Sequence, residues 1–249
     1  MQERISASIR KRSDAPPVDV IITPAGQISV GGEFSDGVYA AELHIAHDDR
    51  KRSVPCVMKV ASKNATPESL LRQTDVHDSM LRDKLKVPRT LRVDAEHGIS
   101  ILTDLNMHGH VALSSNNDCS LVEKNSIVDI PRFEEYMRDI CRELIRCGER
   151  GYRIAFDGIY FLFPQSATEW DFVFGDFDDI TQNNDPPGKT VHHNLLFGLA
   201  EAVRRFEDRW MTREPDRRYI SRLLEIMDEE YGTWSENLRS RKNADSAST

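Results

Sequence analysis

The side chains best suited to chemistry in this sequence are carboxylates that follow a hydrophobic strand. The stretch "VFGDFDDI", residues 173–180, sets Asp176, Asp178 and Asp179 behind Val173 and Phe174. Carboxylates at a strand end are either solvated turn residues or oxygen ligands for a hard cation such as magnesium. An opposite charge, Lys59, lies in the strand-like run "VPCVMKVA", residues 54–61. An ammonium inside such a run is costly unless an anion meets it, or unless strand alternation turns it to a solvated face. The stretch "VGGEFSDGVYAAEL", residues 30–43, carries Gly31, Gly32 and Ser35 at a predicted hairpin tip. Glycines there let backbone amides approach phosphate oxygens with no β-carbon in the way. Asp157 stands beside Gly158, just before the apolar run "IYFLF", where it is either an acid–base group or a turn residue. The histidines offer less. His192 and His193 are adjacent rather than four apart, so their rings face different directions, and His108-Gly109-His110 sits in a polar loop.

These groups need elements to carry them, and the texture of the chain changes near residue 105. Before it come short β-type runs, "VDVIIT", "GVYAAELHIA", "SVPCVMKVA", "RTLRVDA" and "GISILTDL". One helix interrupts them. It opens at "TPESLL", with Thr66 as N-cap and Pro67 as first helical residue, and runs to about Leu85 before Pro88. Beyond residue 105 the pattern is helical. "DIPRFEEYMRDICRELIRCGER" starts on Asp129 and Pro131 and puts Phe133, Met137, Ile140, Cys141, Leu144 and Ile145 on one face. A hairpin follows, "GIYFLF" and "WDFVFGDF" joined by "PQSATE", in which Phe161, Phe163, Phe172 and Phe174 alternate as core residues. Two helices, "VHHNLLFGLAEAVRRFEDRWM" and "DRRYISRLLEIMDEEYGTW", complete the order. The expected organisation is a flexible basic arm over residues 1–17, a β-rich part over 18–104, a mostly helical part over 105–236 and a disordered tail over 237–249.

That order and four local motifs resemble the protein kinase-like superfamily, in particular its compact bacterial and aminoglycoside or choline kinase-type members. The resemblance covers about residues 20 to 210. It implies an α+β, bilobal fold with a β-rich N-lobe holding one helix and a mostly α-helical C-lobe. The glycine loop departs from G-x-G-x-x-G-x-V, with Glu33 and Asp36 at the second and third glycine positions, and looks more like the looser loop of small-molecule kinases. Lys59 matches the "VAIK" lysine, which implies contact with the α- and β-phosphates of ATP. Family members pair that lysine with an acid on the next helix, for which Asp78 is preferred here over Asp75. "GISILTDLN" resembles the last small-lobe strand and hinge, so backbone groups from Thr103 to Leu105 would meet an adenine edge. Gly175-Asp176-Phe177 resembles the D-F-G segment and implies that Asp176 holds magnesium; Asp178 replaces the usual glycine and either assists the metal or caps the next turn.

The catalytic loop, H-x-D with a later asparagine in the family, is the divergent part. Aligning "YFLF" on the family's "NILV" places Ala155 and Tyr160 at the two functional positions. Aligning instead on the 19 positions that separate it from Asp176 nominates Asp157 as the base, with Leu162 at the asparagine. Arg153 either neutralises phosphate charge or is solvated. The resemblance thus implies transfer of the ATP γ-phosphate to a hydroxyl acceptor with magnesium, or a pseudokinase used as a binding or regulatory module.

Composition sets outer bounds. Lysine and arginine number 33 against 41 acidic residues, a formal charge of −8 that disfavours general attraction to nucleic acid or an anionic membrane surface. No apolar run approaches the ~20 residues of a bilayer span. Cys56, Cys119, Cys141 and Cys147 form no C-x-x-C pair, as expected of a cytoplasmic chain. Only "DITQNNDPPGKT" joins the aspartates to the next helix and no A-P-E segment occurs, which favours a small-molecule acceptor or a single dedicated protein partner. Walker, Rossmann and G-x-S-x-G sequences are lacking.

Overall fold

The structure, a computed structural model, describes residues 4–29, 35–47, 50–106, 108–115, 119, 121–212 and 218–246. It is an α+β chain. Strands β1 (Ile5–Ile9), β2 (Val18–Ser29), β3 (Ser35–His47), β4 (Arg50–Ala61), β5 (Leu91–Asp94) and β6 (Ile99–Thr103) make a six-stranded antiparallel sheet in the order β1-β2-β3-β4-β6-β5. Its two edges meet. The Arg10 N–H donates to the Val93 carbonyl at 2.7 Å and the Val93 N–H returns to Arg10 at 3.1 Å, while the Ser8 N–H donates to the Asp94 carboxylate at 2.7 Å. The sheet therefore closes on itself as a small barrel, which removes the exposed edges that an open sheet would present. Alternating side chains, Ala7 and Ile9, Val20 and Ile22, Ala41 and Leu43, Cys56 and Met58, Ile99 and Ile101, fill its interior. The expected flexible arm is thus corrected over its described residues: two isoleucines and the pairing with Val93 give it a place in the barrel.

Helix α1 (Pro67–Arg82) leaves the barrel after β4. Thr66 caps it as expected, its hydroxyl accepting from the Ser69 N–H at 3.1 Å while the Ser69 hydroxyl accepts from the Thr66 N–H at 3.0 Å. Beyond the barrel lie β7 (His110–Leu113), α2 (Phe133–Glu149), β8 (Tyr152–Ile154), a 3₁₀ turn (Phe156–Gly158), β9 (Ile159–Pro164), β10 (Asp171–Phe174) and β11 (Ile180–Gln182). Strands β7, β9 and β10 form one antiparallel sheet, and β8 pairs with β11. The expected hairpin of β9 and β10 is present, with Phe174 opposite Ile159. A single helical rod follows, made of α3 (Pro187–His193), a π-helical segment (Asn194–Ala200) and α4 (Glu201–Trp210). The last helix, α5 (Arg218–Ser246), continues through most of the tail expected to be disordered, and its Glu229 and Glu230 pair with Arg138 and Arg142 of α2. No helix among the described residues is long and apolar enough to cross a membrane.

One large core joins these parts. Leu70, Val76 and Met80 of α1 and Leu91 and Val93 of β5 belong to the same buried cluster as Met137, Ile140 and Leu144 of α2 and Leu223 and Ile226 of α5. The Phe174 N–H donates to the Lys86 carbonyl at 2.8 Å, and buried Glu143 of α2 accepts from the Lys86 N–H at 2.9 Å. These bonds fix α1 and the chain after it against β10, and so fix how the aspartates face the barrel.

Candidate functional site

A cavity of about 790 Å³ lies between the outer face of the barrel and the β9–β10 hairpin. Alternation along β4 builds its roof: Met58 points into the barrel at 2% exposure, so Val57 and Lys59 point out. Their cross-strand partners continue the surface, with Val38 and Ser100 beside Lys59, and Ala40 and Leu102 beside Val57. One end is thereby apolar, closed by Leu91 and the chain from Thr103 to Asn106; Leu121 also lines the cavity, and the Tyr160 ring lies against Gly175, next to Asp176. The other end is charged and is lined by Lys59, Asp157, Asp176, Asp178 and Asp179, with Gln73 of α1 at its side.

The turn after β10 delivers the carboxylates. Asp176 takes a left-handed conformation at φ 54°, unusual for a non-glycine residue and characteristic of functional turns. It is held from three directions: the Gly175 N–H donates to the Gly158 carbonyl at 2.9 Å, the Asp179 N–H donates to the Asp176 carbonyl at 3.0 Å, and Phe177 is buried edge-on against His77 of α1 at 5.0 Å. In consequence Lys59 Nζ donates to Asp176 Oδ1 at 2.8 Å and also bonds the Asp178 carboxylate. The other Asp178 oxygen accepts from the Gln73 side-chain amide.

The electrostatics follow. Burial works to lower the Lys59 pKa, but Asp176 and Asp178 outweigh it and hold the ammonium above its ordinary value. Burial raises Asp178, with Asp176 adding to the effect and Lys59 opposing it. Asp179 is pushed up to about 7, first by burial and then by Asp157, Asp176 and Asp178. Asp157, in the 3₁₀ turn, is raised by burial and by Asp176, and it shares a side-chain hydrogen bond with Asp179. Carboxylates raised by burial and by one another in a cleft are what proton transfer or cation binding uses. Among the described residues no group of three or more His, Cys, Asp or Glu side chains is arranged to hold a metal ion alone.

Of the residues singled out from sequence, Ser35, Lys59, Thr103, Leu105, Asp157, Asp176 and Asp178 all line this one cavity. Gly31 and Gly32 lie outside the described residues. Asp78 is a correction. Its carboxylate faces Arg82 at 3.5 Å and Lys11 at 4.0 Å, on the barrel-closing side of α1, and does not reach Lys59. The acid beside Lys59 comes instead from the turn, as Asp178. Thr103 is also partly committed elsewhere, since its N–H donates to the Thr90 carbonyl at 3.1 Å and its hydroxyl accepts from the Thr90 N–H at 2.9 Å. Arg153 is outside the cavity lining and donates to His193 Nδ1 at 3.1 Å.

Sequence reasoning missed Gln73 and gave Tyr160 only a place in an alternative register. A signal for Gln73 existed. It stands three residues after Leu70 and four before His77, on the buried face of α1, and is 6% exposed. The four cysteines are free, and burial pushes Cys56 up to about 11 and Cys141 up to about 12, which makes them inert hydrophobes. Compared with models of protein families and with curated proteins, the sequence gives no match. The functional reading rests on this geometry.

Proposed function

We propose that the chain is a kinase-like phosphotransferase that binds ATP in this cleft and moves its γ-phosphate to a hydroxyl acceptor. The observation that carries the reading is one cavity with an apolar slot at one end and an ammonium facing carboxylates at the other. Its volume is within the range usual for cofactor-sized ligands. The apolar slot beside Val57, Leu102 and Leu91 suits a purine, and Asp104 and Leu105 offer backbone groups to its edge. Lys59 suits the phosphates. Asp176 and Asp178 supply hard oxygen donors, which fits magnesium, an ion that takes one or two carboxylates and completes its shell with substrate phosphates and water. When bound, that ion neutralises charge on the transferring group.

Asp157 is the group we assign to the acceptor. Raised by burial, it accepts the acceptor's hydroxyl proton as that oxygen bonds the γ-phosphorus and the bond to the β,γ-bridging oxygen breaks, releasing ADP. A second reading, a nucleotide-binding module without transfer, draws on the satisfaction of Asp178 by Lys59 and Gln73 and on Tyr160 at the cavity floor, where the family resemblance implies an amide.

Thermal unfolding with and without magnesium and ATP tests both. A ligand at 100 times its dissociation constant adds about 2.7 kcal/mol to stability. The expected result is a shift in wild type that Lys59→Met and Asp176→Asn lose; the absence of any shift removes nucleotide from both readings. Transfer of labelled phosphate that Asp157→Asn abolishes while still binding ATP supports the enzyme, and binding without transfer supports the module.

A further inference from the structure

We infer that Asp178, held by Gln73, is a resident counter-ion for Lys59 that an incoming phosphate must displace, so that these two residues set how well the cleft takes a polyphosphate. The inference rests on the nucleotide reading of the cleft. It starts from the two oxygens of one carboxylate. One bonds Lys59 and the other accepts from the Gln73 amide, so Asp178 is fixed from the barrel and from α1 together. Both partners are well enclosed, with Gln73 at 6% exposure and the Asp178 side chain at 10%. Glutamine donates a hydrogen bond but brings no charge. The helix therefore orients the counter-ion, while the turn supplies it at the position where the D-F-G segment has glycine.

The charge balance gives the consequence. Lys59 meets two carboxylates at once, Asp176 at 2.8 Å and Asp178 beside it, so the immediate group is net negative before any ligand arrives. A free polyphosphate must break the contact between Lys59 and Asp178 and then lie next to the carboxylate it displaced. Like charges in a partly desolvated site oppose that step. A divalent cation arriving with the polyphosphate gives the displaced carboxylate a new partner. Asp178 thus discriminates between free and cation-bound polyphosphates, and Gln73 sharpens the discrimination by keeping it in place.

The first test needs no nucleotide. Lysine labelling by trinitrobenzenesulfonate, followed by peptide mapping, compares Lys59 with the exposed Lys63 in the full chain. Asp178→Asn is expected to speed Lys59 labelling about tenfold, the effect of releasing the ammonium from one charge-assisted hydrogen bond. Gln73→Ala, which leaves every charge in place, is expected to give a smaller increase. Unchanged Lys59 labelling in both variants overturns the inference, whatever the cleft binds. The second test titrates inorganic tripolyphosphate in EDTA by calorimetry. Asp178→Asn is expected to bind about tenfold more tightly than wild type, and magnesium is expected to narrow the difference. Equal or weaker binding by Asp178→Asn, with Lys59 labelling raised, overturns the competition while leaving the nucleotide reading in place. Loss of ATP binding by wild type with magnesium overturns that reading instead. Far-UV circular dichroism confirms that each variant is folded, and Gln73→Ala carries both tests if Asp178→Asn is not.

Discussion

At the scale of single residues the cleft is a problem in charge, and Asp179 shows it most directly. Its folded-state pKa of about 7 lies above the ordinary carboxylate value because burial and three neighbouring carboxylates disfavour its anion. The folded state then holds a proton that the unfolded chain has released, so stability falls as pH rises from about 4 to about 7. Asp179→Asn, which cannot ionise, is expected to be more stable than wild type at pH 8 and equal to it near pH 4, as read from urea midpoints. A gap that widens toward acid would contradict the assigned direction. Lys59→Met is expected to have the opposite sign relative to wild type, for a related reason. It leaves Asp176 and Asp178 facing each other without a cation, so its stability deficit at pH 7 is expected to shrink as both protonate on acidification. Lys59 and Asp176 were legible in the sequence because each breaks a hydrophobic strand pattern at a defined place. The pairing acid was not legible: Asp75, Asp78 and Asp178 are equivalent as letters, and only the rotation of α1 and the turn at Asp176 choose among them. Asp75 in fact accepts from the Ser13 N–H at 3.0 Å, far from the cleft's chemistry.

At the scale of elements, hydrophobic periodicity sufficed where burial is local. α1, α2 and the β9–β10 hairpin were predicted from apolar spacing and turn residues, and their cores face as that spacing requires. Strand β1 was missed because "ISASI" has only two strongly apolar residues and its second partner, Val93, is over eighty residues away. The tail was missed because residues beyond 236 bury little, so nothing in their pattern marks the helix that carries them. The π-helical segment was equally hidden, and it opens on Asn194. Fully buried, Asn194 accepts from the Ile154 N–H at 2.9 Å and donates to the carbonyls of Tyr152 at 2.9 Å and Leu144 at 3.2 Å. It therefore ties the rod to α2 and to the strand that leads into Asp157. Asn194→Ala removes the side-chain partner of the Ile154 N–H and the Tyr152 carbonyl, at roughly 1–3 kcal/mol each before relaxation, while the Leu144 carbonyl lies inside α2 and loses only its additional bond. A loss of about 3 kcal/mol by chemical denaturation is expected, and a loss under about 1 kcal/mol would show that the tie is dispensable.

At the scale of the whole molecule, the boundary suggested by the change of texture at residue 105 does not divide the core. The barrel interior is a separate cluster, but α1 and β5 place their apolar faces in the large cluster built mainly by the helices after residue 130. The cleft lies along this shared seam, so the parts that must stay in register for Lys59 to meet Asp176 are also those that share hydrophobic burial. The consequence is cooperative unfolding. Trp170, Trp210 and Trp234 all report on the region beyond the barrel, whereas Cys56, at 5% exposure, reports on the barrel interior. Urea titrations followed by tryptophan fluorescence and by thiol labelling of the Cys56 peptide are expected to share one midpoint. A fragment of residues 105–246, deprived of Leu70, Val76, Met80, Leu91 and Val93, is expected to show helical circular dichroism without a sharp transition. Two separated midpoints, with the fragment unfolding as sharply as the full chain, would show that the seam is an interface between independent units and that ligand binding, rather than folding, brings Lys59 and Asp176 together.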